Sequence, residues 1–240
     1  GLATLASLVV FPLLIGGVLR VIDAAEHGRP TAPGAVFEPF RAGRGGGRLV
    51  GFGLLMSALY LLVFGVLVGT LGEGLPEWYA QVMQLQVEAA GRPIQPGDLP
   101  DPPPGLGKVL GLGLLLGMFL GGAYAIGFGQ VALGGRGVLG AVRDGLAGAL
   151  RNLLPIVVLA VLSVLALFAL FLVLMLVGGL LMLVGSLVHP ALGMLLVAPL
   201  YLGMILLMYV VMFGVMYHMW RDVCGAPPAP PPLPGNQVEL

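Results

Sequence analysis

The chain has 240 residues, 58% hydrophobic and only 9% charged, and its eleven basic and eleven acidic side chains cancel to no net charge. A soluble domain carries roughly 25% charged and about 45–50% apolar residues, so packing in water is excluded, and the balanced charge gives no basic surface for nucleic acid. The single cysteine, Cys224, cannot form an internal disulfide.

Apolar runs cover residues 2–19, 49–71, 109–133, 153–187 and 191–220. A hydrocarbon core of about 30 Å requires roughly 20 apolar helical residues, and a helix satisfies its own backbone hydrogen bonds in lipid. No stretch alternates apolar and polar residues as a membrane barrel would. Residues 1–225 are therefore read as an all-α, polytopic transmembrane bundle of five spans. The first run starts at the very beginning of the chain without an initiator Met, which predicts an earlier helix and six spans in the complete protein. The fourth run exceeds what one straight span needs. Gly178, Gly179 and Gly185 offer kinks, and residues 153–220 form either two spans or three.

Between the runs, charge is unevenly placed. Arg20, Arg29, Arg41, Arg44 and Arg48 follow the first run, Arg136, Arg143 and Arg151 follow the third, and Arg221 opens the tail. Residues 72–108 hold only Arg92 and Lys108 against Glu73, Glu77, Glu88, Asp98 and Asp101. An excess of arginine and lysine marks cytoplasmic loops, so residues 72–108 are expected to form an outer loop and the C-terminus to be cytoplasmic. Within that loop, residues 76–93 predict a short amphipathic helix with Trp78 and Tyr79 as interface anchors, followed by an extended proline-rich linker over 96–105. The proline-rich tail, residues 226–240, is expected to be disordered.

The stretch GAVRDGLAGALRNLLP, residues 140–155, places two arginines and an aspartate between greasy runs. Val138, Leu139, Val142, Leu146, Leu150 and Leu153 recur at helical spacing, with Arg136, Arg143 and Arg151 on the other face. That pattern predicts a helix lying in the membrane interface, its arginines acting as lipid anchors at roughly 1 kcal/mol each. Gly113, Gly117 and Gly121 recur every four residues, the spacing that lets transmembrane helices approach closely. Tight helix packing is the first reading of that row; a pore or substrate path lined by glycine and Tyr124 is the second.

Arg151 to Pro155 (RNLLP), Tyr217 to Cys224 (YHMWRDVC) and the segment with Arg20, Glu26, Gly28 and FEPFR (residues 37–41) resemble a family of uncharacterised proteobacterial multi-span inner-membrane proteins. The resemblance implies a six-span protein of the bacterial inner membrane with cytoplasmic termini and no established activity. The sequence departs from that pattern in lacking the first helix and in the length of residues 72–108 and 153–187.

Chemistry is sparse. No Asp, Glu, Lys or Arg lies deep in any run, whereas ion-coupled transporters and proton relays mark themselves with such groups. His27, His189 and His218 lack metal-site spacing, no nucleophile elbow is present, and GLGLLLG (residues 111–117) sits inside a span. The expectation is a non-enzymatic protein without metal or cofactor, in contact with membrane lipids and other membrane proteins, with a scaffold, assembly or envelope-maintenance role. A small-molecule or lipid permease is the alternative.

Overall fold

The computed structural model describes residues 2–89, 92 and 95–225. Among these the chain forms seven α-helices and no strand: α1 Leu2–Glu26, α2 Gly46–Leu71, α3 Leu75–Glu88, α4 Leu106–Ala132, α5 Val138–Arg151, α6 Leu153–Ser186 and α7 Pro190–Cys224. Single 3-10 helices occupy Pro33–Phe40 and Pro96–Asp98. Five helices, α1, α2, α4, α6 and α7, are long and apolar enough to cross a membrane, which makes the chain a multi-pass membrane protein. The tail, residues 226–240, lies outside the described residues.

Helices stop where sequence chemistry stops them. α2 starts after Gly45, which sits at φ +80°, a left-handed conformation open to glycine. α3 opens with Pro76 in its first turn, where a missing N–H is harmless. α1 runs to Glu26, past residue 19 where the apolar run ends. Its last turns carry Arg20 and Asp23, whose charged ends find partners at the end of the bundle, so the helix need not stop where hydrophobicity does. In the expected linker, residues 96–98 form a 3-10 turn instead of extended chain, closed by the Gln95 amide donating to Asp98 Oδ2 at 3.0 Å.

Residues 153–220 resolve into two helices, not three. α6 runs unbroken through Gly178 and Gly179 for 34 residues, about 51 Å at ~1.5 Å per residue. The return is tight because Gly185 and Gly193 let the two backbones touch just before and after the His189–Pro190 corner. With two helices, the end of α7 returns to the end of α1: the Tyr217 hydroxyl donates to Asp23 Oδ1 at 3.2 Å.

Long-range bonds show which ends meet. Arg20 Nε donates to the Ala132 carbonyl at 3.3 Å, and Arg48 Nη1 to the Gly135 carbonyl at 2.8 Å. The end of α1, the start of α2, the end of α4 and the end of α7 therefore gather at one end, here the basic end. At the far end Trp78 Nε1 donates to the Pro100 carbonyl at 3.0 Å, tying α3 to the linker. The core lies toward the basic end, where Leu19, Phe52, Met56, Ile126, Phe128 and Tyr217 are almost fully buried. By contrast the most apolar windows of α6 and α7 are only 6% and 0% buried, so the hairpin presents its length to its surroundings.

Candidate functional site: the basic end and its polar lock

Lipid tails are as apolar as leucine, so helix contact in a membrane rests on close packing and on hydrogen bonds between helices. Both occur together around α5. Of its expected apolar face, Leu139 and Leu150 are exposed while Val138, Val142 and Leu146 pack against the edge of the core. The residues α5 buries deepest in the bundle are Ala141, Gly145, Gly148 and Ala149. A Cβ on Gly127 would lie 2.8 Å from the Ala141 carbonyl oxygen and 2.7 Å from the Phe52 ring, and one on Gly145 would run into the Ala123 carbonyl. The α4–α5 contact is therefore backbone to backbone. Val138 touches Gly51 of α2 and Val223 touches Gly148. α5 thus spans from α2 across α4 to α7.

The row Gly113, Gly117 and Gly121 faces α2, but through side chains. The nearest atoms to their added Cβ positions are Leu67 Cδ2 at 3.4 Å, Phe64 Cζ at 3.7 Å and the Tyr60 hydroxyl at 3.9 Å, ordinary van der Waals contact. The glycines that admit closer approach on α4 are Gly122, taken by Ile156, Gly127, and Gly129, on which Trp220 sits. Four-residue periodicity picks out a row; it does not report which member meets backbone and which meets a flexible ring.

Polar groups form two linked hubs at this end. Asp144 accepts from Arg136 Nε at 2.8 Å and from Gln130 Nε2 at 3.1 Å, and Gln130 Oε1 in turn accepts from Trp220 Nε1 at 3.4 Å. This explains the aspartate beside Arg143: Asp144 closes the α4–α5 turn by holding Arg136. The pair is partly solvent-exposed, so on its own it contributes about 0.2–1 kcal/mol. The second hub is Asp23, which accepts from Tyr217, pairs with Arg29 and lies 3.4 Å from His27 Nδ1. Arg221 sits over the Tyr217 ring, 5.6 Å from its centre, and reaches Glu26 at 3.0 Å. Together these bonds lock the end of α7 to α1 and α4.

Of the three arginines expected to anchor the interfacial helix, Arg136 is engaged by Asp144, while Arg143 and Arg151 are exposed and form no hydrogen bond or ion pair among the described residues. Sequence reasoning noticed Asp144 beside Arg143 and quoted the motif that contains Trp220, but gave no role to Asp23, Gln130, Asp144 or Trp220. The available signal was the sequence YHMWRDVC, which carries Tyr217, Trp220 and Arg221 on adjacent turns. The histidines remain apart: His27 follows the end of α1, His189 accepts from the Ala191 amide at the hairpin corner, and His218 packs edge-on against Tyr217. Among the described residues, no three His, Cys, Asp or Glu side chains are placed to hold a metal ion.

Cavities differ in what lines them. One of about 440 Å³ between α2 and α4 is lined by Leu62, Val63, Val66, Leu67, Leu112 and Leu116, with Thr70 at its edge. The Thr70 hydroxyl is spent on the Val66 carbonyl at 2.8 Å. Another, of about 690 Å³ between α6 and α7, is walled chiefly by leucine, methionine and valine. Charged walls appear at the basic end, where two further cavities involve Arg20, Arg29, Arg41 and Arg48. In the comparisons with known proteins, the chain matches no family model, no curated protein and no solved structure.

Proposed function

We propose that the protein is a multi-pass component of the bacterial inner membrane, of the uncharacterised proteobacterial kind its motifs resemble. It serves as a scaffold for assembly or envelope maintenance, not as an enzyme. The observation that carries this reading is what fills the space between the spans. The glycine row on α4 is covered by Phe64, Leu67 and Tyr60, and the nearby cavity is lined by aliphatic side chains. Water or a polar solute would need several polar partners there. A scaffold needs none.

Orientation follows from the sorting of charge. Nine arginines, from Arg20 to Arg221, gather at one end, and Glu73, Glu77, Asp98 and Asp101 lie in the connection at the other. On the cytoplasmic-arginine rule the basic end faces the cytoplasm, and the C-terminus with it. The unpaired Arg143 and Arg151 then meet anionic headgroups, and the exposed α6–α7 hairpin offers lipids and other membrane proteins a long apolar surface.

The scaffold and permease readings separate at Gly117, which has room for a small side chain because its nearest neighbour beyond α4 is Phe64 at 3.7 Å. With Cys224 replaced by serine, Gly117→Cys is expected to stay unreactive toward a water-soluble thiol reagent from either side of the membrane, and to react only after denaturation. Ready labelling in the folded protein would establish a wetted path and favour the permease.

A further inference from the structure

The connection from α1 to α2 brings arginines together without matching acids. The Arg20 guanidinium is held by the Ala132 and Arg44 carbonyls, and Arg48 by that of Gly135. Both crowd one glycine: a Cβ on Gly45 would lie 3.3 Å from Arg48 Nη2 and 3.6 Å from Arg20 Nη2. The side chains of Arg41 and Arg44, in the same loop, donate to nothing among the described residues. Glu38, the acid of this connection, lies close enough to act electrostatically on Arg20 but forms no ion pair with Arg20, Arg41, Arg44 or Arg48, so one carboxylate stands against four guanidinium groups. Backbone carbonyls orient guanidinium groups but do not neutralise them. The cluster therefore keeps an excess of positive charge.

Beside it opens a cleft of about 690 Å³ between α1 and α2. Its rim carries Arg41 and Arg48, while Leu13, Phe40 and Val50 make the apolar wall. One helical turn further from the basic end, Val9 on α1 and Leu54 on α2 are each 45% exposed and continue the apolar surface. A site for free phosphate has no use for that wall. A phospholipid has both parts: a phosphate for arginines at the level of the headgroups, and an acyl chain for the greasy surface below.

We propose that the α1–α2 cleft at the basic end binds one anionic phospholipid, with its phosphate on Arg41 and Arg48 at the rim, the charge of Arg44 in the same loop beside them, and an acyl chain along Leu13, Val50 and Leu54. This rests on the membrane reading above and adds a specific lipid to it. The lipid closes the loop between the first two spans and neutralises the cluster that holds α1 to α4.

The test uses the full-length protein purified in a mild neutral detergent, with bound lipid counted by native mass spectrometry and unfolding followed by heating. Added phosphatidylglycerol is expected to remain bound and raise the unfolding temperature by several degrees, whereas phosphatidylcholine does neither. R41Q/R44Q is expected to abolish the phosphatidylglycerol-dependent rise, while unfolding in phosphatidylcholine stays as in the parent, because neither side chain holds the fold. R143Q/R151Q, which removes two equally unpaired arginines elsewhere, is expected to keep the full rise. Equal effects of the two lipids, an undiminished rise in R41Q/R44Q, or an equal loss in R143Q/R151Q would overturn the site. So would the same stabilisation by inorganic phosphate, which would make it a free-anion site. Alkaline carbonate washing of membranes separates this from the parent reading: a chain washed off the membrane refutes both, whereas an embedded chain without lipid selectivity refutes only the cleft.

Discussion

Tyr217→Ala is expected to destabilise the protein by about 3–5 kcal/mol, the range for emptying a buried aromatic site. Tyr217 is fully buried although it lies on a helix whose most apolar window is entirely unburied. Its ring carries Arg221 on one face and contacts Trp220 and His218, and its hydroxyl donates to Asp23. Removing it leaves a hole and releases Arg221 and Asp23 together, so α7 loses its hold on α1. Tyr217→Phe keeps the ring and removes one bond to a charged acceptor, with a loss of about 1.5–3 kcal/mol. Thermal unfolding in detergent should rank the parent above the Phe variant and the Phe variant above the Ala variant. An Ala variant no worse than the Phe variant would mean that the ring packs against nothing of consequence.

Gly145→Ala is expected to destabilise by about 1–3 kcal/mol, because the new methyl meets the Ala123 carbonyl and neither backbone can yield without parting α4 from α5. Gly117→Ala, in the row picked out by spacing, is expected to leave stability unchanged or raise it by up to about 1 kcal/mol, since its methyl meets only Phe64 at 3.7 Å and alanine favours helix. Unfolding measured on the two variants side by side checks the contrast. Equal losses would place the tight contact in the wrong part of α4.

The spans were legible because their signal is collective. Runs of Leu, Val and Ala must be helical in lipid whatever surrounds them, and the five runs reappear as α1, α2, α4, α6 and α7. The amphipathic helix at Trp78 and the one before Asn152 were equally readable from periodicity, and appear as α3 and α5. Which face of α5 packs was readable only in part: Val138, Val142 and Leu146 of the expected apolar face meet the core, but the small residues beside them make the closest contact. In water all the leucines would be drawn inward, but here Leu139 and Leu150 stay exposed, and the absence of bulk at Gly145 and Ala149 allows the close contact. The lock was hidden for another reason. Asp23 and Tyr217 are separated by almost the whole chain, and Gln130 means little until Trp220 is brought to it by the α6–α7 hairpin. Whether that hairpin has two helices or three turns on Gly178 and Gly179, which composition marks as possible kinks but which α6 carries without interruption.

Orientation is decided most directly by thiol labelling of spheroplasts in a Cys224→Ser background. Ala42→Cys, in the exposed arginine-rich loop between α1 and α2, and Asp98→Cys, in the acidic connection before α4, lie in the two connections whose charges differ most. A membrane-impermeant maleimide is expected to label Asp98→Cys at once and Ala42→Cys only after the membrane is permeabilised. Labelling of Ala42→Cys in intact spheroplasts, with or without Asp98→Cys, would contradict a basic end that faces the cytoplasm.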